Sequence, residues 1–170
     1  MNVDEILRTF NRHDVAYLLI GGMNFLLRHA PVVTFDLDFW VEDTPENLHR
    51  CELALADLAA EWGASGDYHD WGLVSKKAPG WTGRQTVFCL ASPHGAIDLF
   101  RVVAGLDSWA TCRGRAVPAT MASGVPYLGL ADSDMLACQM ALPQGERKLE
   151  RIRTLNKALQ LDQEKPHVTE

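Results

Sequence analysis

Nowhere does this sequence carry an apolar run that could span a bilayer. Its apolar stretches, such as Ala16–Ile20 and Ala54–Ala60, fall far short of the roughly 20 residues required. The opening Met1-Asn2-Val3-Asp4-Glu5 is acidic where a secretory leader would be basic and then apolar, so a cytoplasmic location is expected. Paired cysteines are missing too. Cys51, Cys89, Cys112 and Cys138 are scattered with no Cys-x-x-Cys, which predicts reduced, mostly buried thiols and no structural zinc. Positive charge is scarce: 16 Lys and Arg against 22 Asp and Glu leave a formal net charge of −6, which argues against a broad DNA- or RNA-binding surface. No repeat or low-complexity stretch occurs. Ser92, Ser123 and Cys89 sit in no nucleophile elbow and beside no paired base, which excludes covalent hydrolase chemistry.

What remains is an ordinary globular composition, 47% hydrophobic and 22% charged over 170 residues, enough for one domain with a real core. Val3, Ile6, Leu7 and Phe10 recur at helical spacing. Val15–Ile20 reads as a buried strand ended by Gly21-Gly22, Met23–His29 as a short helix broken at Ala30-Pro31, and Thr34–Val41 as a second strand. Thr44-Pro45-Glu46 starts a helix reaching to about Glu61. Gly63–Gly83 has no clear period, apart from one strand around Leu73–Ser75. Gln85–Leu90 and Ala96–Val103 are strands joined by the turn Ser92-Pro93-His94-Gly95. Leu106–Cys112 is a short helix or turn, and Arg115–Met121 and Val125–Leu128 are short strands. A helix capped by Asp132 or Ser133 runs through Met140, and a final helix covers Glu146–Leu161. The predicted fold class is α/β (α+β), a small mixed β-sheet with helices packed against it. Its domain spans residues 1–161, with a core of about 1–130, C-terminal helices over 131–161 and a flexible tail at 162–170.

The sharpest chemical feature is Thr34-Phe35-Asp36-Leu37-Asp38-Phe39-Trp40-Val41. On a strand the faces alternate, so Phe35, Leu37, Phe39 and Val41 share a core face while Asp36 and Asp38 share the other, about 7 Å apart in rise. Strands disfavour Asp, and two neighbouring carboxylates repel. A divalent cation such as Mg²⁺, which takes oxygen ligands, would relieve that repulsion. A wet, acidic edge strand is the plainer alternative. Two other segments add context. Gly21-Gly22 follows a strand and opens a helix, where glycine allows close backbone approach and free N–H groups face phosphate. In Gly95-Ala96-Ile97-Asp98-Leu99-Phe100 a lone Asp interrupts an apolar strand, costly unless it is paired or ligates metal. Should that strand lie beside Thr34–Val41, Asp98 becomes a third carboxylate of the site.

The succession Ile20-Gly21-Gly22, Thr34-x-Asp36-x-Asp38 and Ile97-Asp98-Leu99 resembles the DNA-polymerase-β-type nucleotidyltransferase superfamily. It is most similar to small prokaryotic members that include toxin components of toxin–antitoxin and abortive-infection systems. The resemblance extends to Tyr127-Leu128-Gly129-Leu130 leading into Asp132–Met140. It implies a minimal nucleotidyltransferase fold and a nucleoside monophosphate moved from an NTP, ATP among them, to a hydroxyl of RNA or protein. It further implies two Mg²⁺ ions, or Mn²⁺, held by Asp36, Asp38 and Asp98, with Asp98 also helping to deprotonate the attacking hydroxyl. Nucleotide binding falls to Gly21, Gly22, Asn24 and Thr34, and a cognate antitoxin-like protein is an implied partner. Two basic positions of such relatives are absent: Val32 stands two residues before Thr34, and Gln139 stands where a lysine is common. Arg28, or the final-helix cluster Arg147, Lys148, Arg151 and Arg153, would have to supply that charge. The competing account of the cluster is a solvated helix face paired with Glu146 and Glu150.

Weaker candidates are Asp67, His69 and Asp70 beside Trp71 as a metal loop, and Lys76, Lys77 and Arg84 as an anion-facing patch. Trp62, Trp71, Trp81 and Trp109 either stack an acceptor or pack the core. Three readings follow: an active nucleotidyltransferase, the same fold without turnover acting as a binding or regulatory partner, and a metal-dependent phosphohydrolase. Label transfer from an α-labelled NTP separates them.

Overall fold

The computed structural model describes residues 1–29, 31–64 and 69–163. In chain order these form α1 (Val3–Arg12), β1 (Tyr17–Ile20), α2 (Gly21–Arg28), β2 (Asp36–Val41), α3 (Pro45–Asp57), β3 (Glu61–Trp62) and β4 (Gly72–Leu73). Two 3₁₀ turns follow, Val74–Lys76 and Trp81–Arg84, then β5 (Val87–Leu90), β6 (Ala96–Phe100), α4 (Trp109–Arg115), β7 (Val117–Thr120), β8 (Pro126–Gly129), α5 (Asp132–Ala141), a 3₁₀ turn at Gln144–Glu146 and α6 (Leu149–Gln163). No described helix is long and apolar enough to cross a membrane.

Six strands form one mixed sheet in the order β5-β6-β2-β1-β8-β7, and β3 and β4 form a separate pair. The central strands β1 and β2 are antiparallel to each other, while β2 runs parallel to β6 and β1 parallel to β8. Strict alternation sorts side chains between the two faces. Leu19, Leu37, Phe39, Val41, Ile97 and Leu99 point to the face covered by α1 and α3, where Ile6, Phe10 and Leu55 meet them in the larger core. Phe10 stacks on Phe39 at 4.4 Å, and Tyr17 meets Phe39 edge-on at 5.1 Å. Leu18, Ile20, Trp40 and Phe100 point the other way, into a smaller core with Phe25, Cys112, Met135 and Leu155. That second face is only partly roofed, and its open part is where the acids emerge.

Several boundaries differ from the sequence reading for local reasons. The helix expected over Met23–His29 starts two residues earlier, so the glycine pair is itself the first turn of α2, begun with Gly21 at φ +65° and no side-chain cap. Pairing of β2 begins at Asp36, so Phe35 stays outside the sheet and is 81% exposed rather than core. Thr44 caps α3 as expected, accepting from the Asn47 N–H, but α3 ends at Asp57. Helix α5 begins at Asp132 after Ala131 without a side-chain cap, because Asp132 is taken by Arg28 and His29. Helix α4 lies at Trp109–Arg115, capped by Ser108, later than Leu106–Cys112. Helix α6 runs two residues beyond Leu161, and the rest of the expected tail lies outside the described residues.

Candidate active site

The acids are brought together by register. In the antiparallel pair β1–β2, Ile20 sits opposite Asp38, so the turn into α2 begins directly over that carboxylate. In the parallel pair β2–β6, Asp38 aligns with Asp98. Asp36, Asp38 and Asp98 thus share the open face, each offering a carboxylate oxygen, the three within 4.8 Å of one another. Like charges at that spacing cannot all stay ionised without a counter-charge. Burial, reinforced by Asp36 and Asp98, pushes the Asp38 carboxyl up to about 7. Burial, opposed by a Cys89 hydrogen bond and aided by Asp36, also raises Asp98. Three partly buried carboxylates with this mutual repulsion fit the oxygen-rich donor set of a hard divalent cation.

Two elements support the acids. The Gly22 N–H donates to Asp38 Oδ2 at 3.4 Å, and the Thr34 hydroxyl donates to Asp36 Oδ1 at 2.9 Å. Glycine is required at 21 and 22 because a Cβ would stand 1.9 Å from Asp38 Oδ2 and 2.5 Å from Thr34 Oγ1, respectively. A cleft of about 700 Å³ opens over this corner, lined on its polar side by Gly21, Gly22, Thr34, Gln139, Lys148 and Arg151.

The structure separates the basic candidates. Arg151 packs its guanidinium over the Phe25 ring at 5.5 Å and faces Asp38 and Asp36, its own pKa lowered by burial against their pull. Lys148 lines the same cleft. Arg147 instead donates to the Leu142 and Met140 carbonyls at the end of α5, and Arg153 pairs with Glu150 in solvent. Arg28, expected to face phosphate, is held elsewhere: it pairs with Asp132 at 2.6 Å and donates to the Leu130 carbonyl. Asn24 is likewise no phosphate group. It is fully buried and donates to the Leu130 carbonyl at 3.0 Å, tying α2 to the end of β8. Arg28 lies one helical turn beyond Asn24, so the two share the face of α2 that is turned to Leu130 and the start of α5 rather than to the cleft.

Cys89, on β5, is exposed rather than buried. It lies opposite Asp98 across β5–β6, and burial together with Asp98 pushes the thiol up to about 11, far from a thiolate at neutral pH. Of the suggested metal loop, Asp67 lies outside the described residues, while Asp70 is occupied by Lys77 and Arg84. Those two cations also stack over Trp62, which packs with Trp81 and Phe88 in the larger core, and Trp109 meets Trp40 edge-on. Trp71 is the tryptophan left half-exposed. Arg151 is the cleft residue that the sequence did not single out from its cluster, because choosing it requires the angle at which α6 crosses the sheet.

No protein-family model and no curated protein sequence matches this chain. A solved structure does. Over 94% of this chain and 88% of the other, with 14% identity and a TM-score of 0.58, the backbone is similar to ANT(2″)-Ia in complex with adenylyl-2″-tobramycin, and the fold of this chain is accordingly nucleotidyltransferase-like.

Proposed function

We propose that this protein is a metal-dependent nucleotidyltransferase that moves a nucleoside monophosphate from an NTP to a hydroxyl. The observation that carries the reading is the meeting of Asp36, Asp38 and Asp98 within 4.8 Å beside the glycine-opened start of α2. The similarity to a structure holding an adenylylated product supports the same class of reaction. Asp36, Asp38 and Asp98 would hold the divalent ions, Mg²⁺ or Mn²⁺. When bound, such ions neutralise the triphosphate and polarise the phosphorus under attack.

The remaining work falls to the chain. Thr34 fixes the Asp36 carboxylate, and the Gly22 N–H does the same for Asp38. Arg151 and Lys148 face the cleft from α6 and its approach, where they replace the positive charge missing at Val32 and Gln139 for the β- and γ-phosphates. The acceptor oxygen bonds to the α-phosphorus, the bond from that phosphorus to the bridging oxygen breaks, and pyrophosphate departs with the electron pair. Asp98, brought beside Asp36 and Asp38 by the β2–β6 register, would receive the acceptor's proton. Positioning and preorganised charge account for the catalysis.

The sequence resemblance adds to this reaction an RNA or protein acceptor, a toxin role and an antitoxin-like partner. The site is consistent with a cytoplasmic enzyme, where NTP is available. Incubation of the purified chain with Mg²⁺, α-labelled NTP and acceptor tests the proposal. Labelled acceptor that disappears in Asp36→Ala and Asp98→Asn is expected. A folded chain that binds NTP yet labels nothing would favour the binding-partner reading, and release of labelled nucleotide to water alone would favour phosphohydrolysis.

A further inference from the structure

The cleft has a second wall that the reaction chemistry does not use. Val33 and Phe35 in the segment before β2, Val87 on edge strand β5 and Val102 after β6 are 80%, 81%, 36% and 59% exposed, and all four line the cleft. Val33 and Phe35 stand just before Asp36, and Val87, which pairs with Phe100 across β5–β6, is one step along the same face from the Cys89–Asp98 pair, on the Asp98 side of the triad. That is the side from which a hydroxyl yielding its proton to Asp98 must arrive. The carboxylates lining the cleft are Asp36 and Asp38, both committed to metal, and its cations are Lys148 and Arg151, both facing the phosphates. Nothing charged among the described lining residues is left over to recognise an acceptor.

We propose that the acceptor is a small, uncharged molecule with an apolar body, seated on Phe35, Val33, Val87 and Val102 with its hydroxyl toward Asp98. This rests on the nucleotidyl-transfer reading above and names its substrate class. A polycation such as tobramycin would need carboxylates beyond the metal-holding set. A nucleic acid would need cations in the cleft beyond Lys148 and Arg151, and its described lining holds none. An apolar body matches exposed apolar lips of this kind, which otherwise mark a binding surface without an occupant. The acceptor O–H loses its proton to Asp98, its oxygen bonds to the α-phosphorus, and pyrophosphate leaves with the electron pair of the broken bond.

Saturation-transfer NMR on the whole chain, with Mg²⁺ and a non-hydrolysable ATP analogue, tests the assignment against three classes of probe. These are neutral phenyl- and alkyl-bearing alcohols including chloramphenicol, the polycation tobramycin, and a ribodinucleotide with a free 3′-hydroxyl. The neutral alcohols are expected to bind best, to weaken at least fivefold in Phe35→Ser/Val102→Ser, and to be unaffected by Leu53→Ser, an exposed leucine on α3. Tighter binding of tobramycin or the dinucleotide overturns the assignment, as does neutral-alcohol binding that ignores the double substitution. So does a wild-type dimer, seen by sedimentation, that the double substitution makes monomeric, since a second copy would then be the occupant of the lips. If neither the ATP analogue nor its GTP, CTP and UTP counterparts bind, the parent reading falls and takes this one with it. If one of them binds while the cationic or anionic probe wins, this one falls alone.

Discussion

Gly21 and Asp38 are in such close contact that a single methyl group cannot fit between them: a Cβ on Gly21 would stand 1.9 Å from Asp38 Oδ2. The chain leaves β1, turns at a positive φ and starts α2 immediately above the carboxylate, bringing the Gly22 N–H to it. Helix start and acid strand are one unit. Placing an amide donor and a carboxylate together sets both the electrostatics of the site and its tolerance to substitution.

Gly21→Ala is therefore expected to cost about 1–3 kcal/mol, from a left-handed backbone imposed on an L side chain and from displacement of Asp38. Urea unfolding measures the stability loss. Mg²⁺ titration should show weakened binding in the folded variant, and a variant with wild-type affinity would contradict the contact.

Stability in the absence of divalent ions should fall as pH rises. The folded Asp38 carboxyl titrates near 7, against an ordinary value of 3.8. Between those values the folded state keeps a proton that the unfolded state has lost. The group's favourable contribution is thus complete below the ordinary value and is lost as pH climbs through about 7. Roughly 1.4 kcal/mol accompanies each pH unit of that window, giving a loss on the order of a few kcal/mol. Denaturation in EDTA between pH 4 and pH 8 reads the slope, and Asp38→Asn should flatten it.

A divalent cation should reverse that loss. Mg²⁺ at about 100 times its Kd stabilises by roughly 2.7 kcal/mol, which for a chain of this size raises Tm by about 5–11 °C. Because binding displaces the proton from Asp38, affinity should weaken as pH falls below about 7. Thermal scans with and without Mg²⁺ at pH 6 and pH 8 check both statements.

Arg151→Ala should weaken NTP binding by roughly ten- to a hundredfold, since a charge-assisted contact in a partly buried cleft is worth about 1.5–3 kcal/mol. Arg153→Ala, whose partner Glu150 is in solvent, should leave binding unchanged. Isothermal titration of both variants separates a phosphate-facing arginine from a generally basic helix.

Thr34→Val keeps the shape but removes the donor to Asp36, and metal affinity should fall about tenfold with the fold intact. Wild-type affinity would reduce Thr34 to packing against Gly22.

Much of the chemistry was legible in the chain because strand periodicity is a local property. Alternation alone placed Asp36 and Asp38 on one face and Leu37, Phe39 and Val41 on the other, and the cap at Thr44 is written in four consecutive residues. Phe35 broke the pattern because alternation says nothing about where pairing starts. One residue short of the ladder, it faces solvent.

Local sequence thus determined the acidic strand, the glycine turn and a mixed α/β architecture, since each depends on backbone geometry over a few residues. The tertiary structure alone decided that Asp98 aligns with Asp38, that Arg28 and Asn24 serve α5 instead of the cleft, and that Arg151 rather than Arg147 or Arg153 faces the acids. Those outcomes depend on strand order and on helix crossing angles. Both are set by burial of the two cores as a whole, which no short stretch of residues encodes.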